Sequence, residues 1–442
     1  MNPLDHRIPA VKALLVLGLV SACTVKNPLF CETDVDCAGT DKPFCDADGE
    51  FPASNDTRNT CIEIPADCSI ERCGCTPGNA FACDLDQLTV CGADGKSTTT
   101  STCALGCSTE KRCLTFEPSN GLGPALDIAA GEPDVIVPSG ARVDTELGLI
   151  QDAAGTPISV RSLLVSQESG TMIRAFVASS FVIDAVRVRG ANSVAFVASG
   201  RITIRGTLDA RAEGQSIPGP GAQRAPAGCI GAPFLQTLPS ILVLGGGGGG
   251  NSTPGGTGRG VVAGQLGGSA VAGTALVGGC GAGDAGSGGA GGGAIQLVSM
   301  DEIALSTAGL IDVGGGGGGA SNGGGSGGLV VLEAPHVRID GAASGIVANG
   351  GAGGGCLLAG SDATSNSDTA LAPQCTGASA GDGGTGFQLP GSGEVSTSGS
   401  AFKGGGGGAA GRARIATKQG AFEALGNPVI SAQTTQVALT PR

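Results

Sequence analysis

Tryptophan and tyrosine are missing altogether, and only 12 phenylalanines are spread over 442 residues. With so few rings a wide globular core cannot be filled, and packing is left to Ala, Val, Ile and Leu, which stack inside narrow β-structures. The same lack removes the aromatic platforms on which sugar subsites commonly rest. Histidine is nearly absent as well: once the N-terminal leader at 1–22 is set aside, one remains, His336, behind Pro335 at a corner between two strand-like segments. No Ser, Cys or acid at a fixed spacing joins it, so no catalytic triad can be assembled. Positive charge is scarce too. The formal net charge is -13 with no basic stripe, which excludes a nucleic-acid partner because phosphate binding needs a basic face.

Long apolar runs are absent but for one, ALLVLGLV at 13–20, with Arg7 and Lys12 before it and small residues after it. That pattern reads as a secretory signal and is too short to span a bilayer comfortably. The tetrad Val20-Ser21-Ala22-Cys23 resembles the lipobox of bacterial lipoproteins. The resemblance implies a signal peptide at 1–22, lipidation of Cys23, an anchor and tether at 23–30, and a membrane partner reached through the lipid. With Thr24 rather than Asp after the lipidated residue, it also implies sorting to the outer membrane or cell surface by the general export pathway.

Cysteine usage agrees with export. Removing Cys23 from the 17 leaves an even 16 in a chain bound for an oxidising compartment, so disulfides are the expectation. Residues 31–113 hold twelve of them and almost no apolar runs, and must be stapled to fold. One module, 31–61, carries Cys31, Cys37, Cys45 and Cys61. A second, 68–113, carries Cys68, Cys73, Cys75, Cys83, Cys91, Cys103, Cys107 and Cys113. Connectivity within each stays open. Paired C-x2-C spacing and a nearby His are both lacking, so no metal and no cofactor is assigned. Residues 114–132, rich in Pro, Ser, Asn and Gly, read as a linker, and the Cys-rich segment is expected to cap the N-terminal end of the region 133–442.

What is abundant is glycine, 83 residues of it, and it punctuates a repeat over 133–442. Residues 294–319 combine three short alternating apolar segments, two corners and a run of six glycines. The unit recurs at 195–214, 329–355 and 412–432, and the pentapeptide AFVAS occurs at 175–179 and again at 195–199. Such a period predicts a mainly β, right-handed parallel β-helix, each coil supplying short strands between corners. Alternation aligns Ala195 and Val197 with Ile295 and Leu297 and with Val330 and Leu332 as inward residues. The second strand contributes Ile202 and Ile204, Ile303 and Leu305, and Val337 and Ile339. Glycine-rich insertions leave one corner each time, at 212–293, 314–328 and 350–411, so they share one lateral face. Their tracts are readable as flexible linker or as ordered extended segments packed side by side. Cys229 with Cys280 and Cys356 with Cys375 is the pairing that keeps each bond inside one insertion.

One enzymatic alternative survives. Asp209 and Asp312 share an offset after Gly206 and Gly309, so stacked coils would bring two carboxylates together as an acid and base for a sugar polymer, the third copy having Ala348 there.

Taken together, the Cys23 lipobox, the D-V-D-C and C-A-L-G-C modules, the P-S-N-G-L junction at 118–122 and the glycine-punctuated repeats resemble a family of Gly-rich, Cys-rich bacterial surface lipoproteins of the myxobacterial type. The repeats also look like those of filamentous-haemagglutinin-type adhesins and pectate-lyase-like β-helices. The resemblance implies a lipid-anchored, non-catalytic structural or adhesive surface protein, with a polysaccharide or an envelope protein as partner. The alternative is a β-helix that binds or cleaves polysaccharide through its acids.

Overall fold

The computed structural model describes residues 31–32, 34–37, 44–46, 59–62, 78–92, 97–168, 172–222, 228–237, 242–259, 264–283, 287–374, 379–394 and 403–442. The leader, Cys23, Cys68, Cys73, Cys75 and Cys375 lie outside them. Two compact units are distinguished, Met1–Ser101 with Thr109–Lys111, and Thr102–Ser108 with Arg112–Arg442.

In the first unit, strands β1 (Phe44–Asp46) and β2 (Thr60–Ile62) pair antiparallel, with Cys45 opposite Cys61. Disulfides Cys31–Cys45 and Cys37–Cys61 form a buried knot around this pair. Strands β3 (Ala80–Asp84), β4 (Gln87–Cys91) and β5 (Thr98–Thr102) make a small sheet. Sulfur does here what a core does elsewhere, since so short a segment cannot bury enough apolar surface.

The second unit is mainly β. It opens with helix α1 (Gly123–Ala129) and strands β6 (Val135–Val137), β7 (Ala141–Asp144), β8 (Leu149–Gln151), β9 (Pro157–Ile158) and β10 (Arg161–Ser166). Three-strand repeats come next: β11 (Met172–Ala178), β12 (Phe181–Ile183) and β13 (Val186–Arg189); then β14 (Ser193–Ala198), β15 (Ile202–Ile204) and β16 (Thr207–Asp209). A hairpin, β17 (Leu235–Thr237) with β18 (Leu242–Leu244), lies inside the first insertion. The repeats resume with β19 (Ala294–Ser299), β20 (Glu302–Leu305) and β21 (Leu310–Asp312), and then β22 (Leu329–Glu333), β23 (His336–Asp340) and β24 (Gly345–Val347). Strands β25 (Arg412–Thr417), β26 (Phe422–Leu425), β27 (Val429–Ile430) and β28 (Gln433–Ala438) complete the chain.

Each repeat gives its first, second and third strand to a different sheet. The first strands make a seven-stranded sheet, β10-β11-β14-β19-β22-β25-β28, parallel but for the β10–β11 pair. The second strands make a six-stranded sheet and the third an eight-stranded one. Like residues stack: Ile202, Ile303 and Val337 in register, and Leu208, Ile311 and Ile346. These columns, with Phe176, Phe181 and Phe196, form one continuous buried cluster. The rings of Phe176 and Phe196 stack at 5.7 Å, and Phe181 meets Phe196 edge-on at 5.4 Å.

The alignment of the first strands is corrected by one residue. Val194 and Phe196, not Ala195 and Val197, pair with Ile295 and Leu297 and point into the core. Ala195 and Val197 face outward, into a second apolar cluster. A one-residue slip turns every side chain to the other face, and here the pattern has no contrast to prevent it, because these strands are buried on both sides.

What covers the outer face is the segment read as a linker. Residues 114–132 pack along the first-strand sheet from its last strand to its first. Thr115 and Arg442 exchange two backbone hydrogen bonds, Phe116 bridges Pro441, and Arg442 pairs with Glu117. The Ser119 amide donates to Glu333 Oε2 at 3.0 Å, and Asn120 Nδ2 donates to Gln296 Oε1 at 2.9 Å. Helix α1 then lays Leu122, Ala125, Leu126 and Ala129 into the same cluster as Ala175, Val177, Ala195 and Val197. The end of the Cys-rich segment that belongs to this unit sits beside the last repeat rather than the first: Lys418 Nζ donates to the Ala104 carbonyl. At the first repeat, β8, β9 and β10 cover the core instead, with Ile150 fully buried.

Candidate functional site

The described residues of the glycine-rich insertions are ordered, and the hydrogen bonding says how. In the tract 245–250, Gly245 and Gly248 donate to the carbonyls of Arg259 and Gly256. Gly246 and Gly249 donate to Ser321 and Gly324, and Gly247 and Gly250 to Ala232 and Cys229. Every third residue therefore addresses the same neighbour, the signature of an extended helix with three residues per turn. The tract donates to three neighbours, one parallel to it and two antiparallel.

The pattern propagates. Gly405 and Gly408 donate to Gly354 and Gly351, Gly406 and Ala409 to Gly246 and Gly249, and Gly324 and Gly327 to Gly406 and Ala409. So close an approach admits no side chain: a Cβ on Gly248 would lie 2.0 Å from the Gly407 carbonyl oxygen, and one on Gly408 would lie 2.0 Å from that of Gly325. Each such bond contributes about 1 kcal/mol net, whereas fixing one backbone residue costs about 1–2 kcal/mol. Hydrogen bonds alone do not order the bundle. Dense backbone contact, attachment to the sheets and the disulfide Cys229–Cys280 supply the rest.

Cys229–Cys280 is the pair expected from keeping bonds inside one insertion. Cys356 is disulfide-bonded, and its expected partner Cys375 lies outside the described residues. In the Cys-rich segment Cys103 pairs with Cys113, and Cys83, Cys91 and Cys107 are disulfide-bonded as well. The sulfurs of Cys31, Cys37 and Cys61 come close enough to suggest a metal, but all three are engaged in the Cys31–Cys45 and Cys37–Cys61 bonds.

The two carboxylates singled out from the repeat do come together. Asp209 and Asp312 are in register on adjacent strands β16 and β21, at the floor of an open groove of about 420 Å³. The next position along is Val347, not Ala348, because Gly345 rather than its neighbour opens β24 opposite Leu310. In the other direction the same file continues through Arg187 and Arg142. Arg211 Nε lies 3.6 Å from Asp209 Oδ1, its Nη1 lies 3.8 Å from Asp312 Oδ2, and Arg187 Nη1 lies 3.5 Å from Asp209 Oδ2. Arg187 also pairs with Glu213.

Asp312 is 1% exposed. Its Oδ1 accepts the Gly314 amide at 2.9 Å and its Oδ2 accepts Ser365 Oγ at 2.6 Å. Burial pushes this carboxyl above its ordinary value, opposed by those two hydrogen bonds and by the Arg211 charge. A general acid must touch what it protonates, and this one is held by a glycine-tract amide and a serine from the 350–411 insertion. Its geometry is that of a joint between sheet and bundle. The arginines and Ser365 carried no sequence signal of their own; the VRVR strand falls in the same file only because corner lengths differ between repeats.

His336 begins β23 rather than standing in a corner, and it has acids beside it that spacing did not reveal. Its Nδ1 lies 3.3 Å from Glu302 Oε1 and its Nε2 lies 3.4 Å from Glu423 Oε1. Glu302 is also 2.7 Å from Arg201 Nη2, so the group is an interlocked charge ladder on the outer side of the second-strand sheet. Among the described residues no helix is long and apolar enough to cross a membrane. No family model matches this chain, and neither a curated protein nor a solved structure matches it.

Proposed function

We propose that this chain is a right-handed parallel β-helix, lipid-anchored through Cys23 at the outer membrane or cell surface, and that it serves there as a non-catalytic structural or adhesive protein. The observation that carries the reading is the three-way hydrogen bonding of the glycine tracts. A flexible linker would leave the insertion turns unplaced, whereas an ordered bundle presents them at fixed positions. Those turns carry large apolar residues to solvent: Leu357 is 70% and Phe387 77% exposed. The cyclic order of the three sheets supports the β-helix, and the closed polar satisfaction of Asp312 supports a role without catalysis.

A second reading, a polysaccharide-cleaving enzyme, draws on the in-register Asp209 and Asp312 in their groove. Oxidised protein from Val25 onward, incubated with a panel of bacterial and plant polysaccharides, separates the two by retention and chain cleavage. Retention without cleavage is expected, and trimming the 350–411 insertion should abolish it while the repeats still fold. Cleavage lost in Asp209→Asn or Asp312→Asn would replace this reading with the enzymatic one. Labelling with a radioactive fatty acid should mark the wild type and leave Cys23→Ala unlabelled; label in both would sink the anchor.

A further inference from the structure

Helix α1 fills the outer face of the first-strand sheet only over the early repeats. Further along, the same face meets the insertion residues Gly273 and Thr274. It forms a groove of about 260 Å³ with Leu329, Val331 and Val437 for its apolar surface and Arg412, Arg414 and Thr435 beside them. Leu329 and Val331, 4% and 1% exposed, are the packed floor of this groove and belong to the same cluster as the α1 leucines, while half-buried Val437 leaves apolar surface open.

The two arginines differ. Arg414 Nη1 is 3.2 Å from Glu333 Oε1 and so is neutralised. Arg412 has no carboxylate partner among the described residues. Its Nε donates to Asn251 Oδ1 at 3.0 Å and its Nη1 to the Gly273 carbonyl at 3.1 Å, which leaves Nη2 without an acceptor among the described residues. Asn251 is itself 1% exposed and tied by Nδ2 to the Gly327 and Gly328 carbonyls, so the guanidinium is aimed by a buried residue fixed in the glycine bundle. Burial lowers the Arg412 pKa, a cost that an anion alongside would offset. An uncompensated, part-buried cation is out of keeping with a chain of net charge -13.

We propose that this groove binds a small aliphatic carboxylate, its anionic head on Arg412 and its apolar body over Leu329, Val331 and Val437. One free guanidinium edge matches a carboxylate. A phosphate dianion would need a second cation, and Arg414 is committed to Glu333. The volume lies just below the usual range of ligand pockets, about 300–1,000 Å³, and suits a chain of a few carbons. The site stands whether or not the protein is anchored or adhesive.

Calorimetric titration of the full chain with hexanoate, hexanamide and inorganic phosphate tests it. Saturable binding of hexanoate is expected, with hexanamide weaker by about tenfold or more, the usual worth of a charged hydrogen bond. Arg412→Gln should lose about tenfold or more as well. Because Arg412 also braces Asn251, the second variant is Gln433→Glu, an exposed position in register with Arg412 on the neighbouring strand, where a fixed carboxylate competes for Arg412 without disturbing packing. Undiminished hexanoate binding in a folded Gln433→Glu, equal binding of hexanamide, stronger binding of phosphate, or no saturable binding to the wild type would each overturn the proposal.

Discussion

The repeats and the glycine bundle are built on opposite rules within one compact unit. In the repeats, backbone hydrogen bonds run in one direction, strand to strand, and the interior is filled by side chains such as Phe196, Ile303 and Ile339. In the bundle, hydrogen bonds run in three directions, and at glycines such as Gly248 and Gly408 there is no room for even a Cβ. Tolerance to substitution therefore inverts across the boundary. Where a large residue is shortened, the repeats suffer; where a methyl is added, the bundle does.

The variant that strains this contrast most is Phe196→Ala. The ring is fully buried between Phe176 and Phe181, and its loss should cost about 3–5 kcal/mol by urea unfolding. Gly248→Ala, the smallest enlargement available, should cost about 3 kcal/mol, because its methyl meets backbone that cannot rotate away. Limited proteolysis should then cut the insertions of Gly248→Ala first while the repeats persist. Equal stability of wild type and Gly248→Ala would mean the tracts are not packed as described.

The same contrast decides how much was legible in the sequence. Stacking of Ile202, Ile303 and Val337 could be read because the strands of Ile202 and Val337 alternate between a buried and a partly exposed face, although the strand of Ile303 between them is buried throughout. The first strands could not be registered, since the strap at 114–132 makes both faces apolar, and that strap looked like a linker because its partners, from Ala175 to Arg442, are distant in the chain. For the carboxylates, the pairing of Asp209 with Asp312 was visible from the glycine before each. Their neutralisation was not: Ser365 arrives from a different insertion, and Arg187 from a repeat with different corner lengths. The glycine tracts admitted two readings because composition is silent on whether a neighbour is present, and a bare backbone packs only against another.

Removing the Cys229–Cys280 bond tests how the bundle's entropy is restrained. Cys229 and Cys280 are 51 residues apart, and glycine gives the open chain unusual freedom. Replacing both by Ser should cost about 2 kcal/mol, less than either packing variant and confined to the insertion. Amide exchange should quicken at Gly246–Gly250 and stay slow at Ile303. Uniform quickening in both places would show that the two regions unfold as one.

A still smaller effect is expected at the joint, Asp312, where sheet and bundle are tied through Gly314 and Ser365. Its folded pKa is raised above 3.8, so as pH climbs past that value the unfolded chain gives up this proton before the folded one does. The unfolded state then holds fewer protons, and stability falls with rising pH across the window from 3.8 up to the raised value, levelling beyond it. Asp312→Asn keeps an oxygen for the Gly314 amide and carries no charge, which removes that slope. It also gives up the Arg211 contact, but Arg211 still has Asp209 at 3.6 Å, so no cation is orphaned. The variant should match wild type to within about 1 kcal/mol at about pH 7, with the gap shifting against it as pH drops toward about 4. Urea unfolding at stepped pH reads this directly. A gap that does not move with pH would mean Asp312 is ionised as readily in the folded protein as in the unfolded, and that the joint is held by charge rather than by the buried hydrogen bonds.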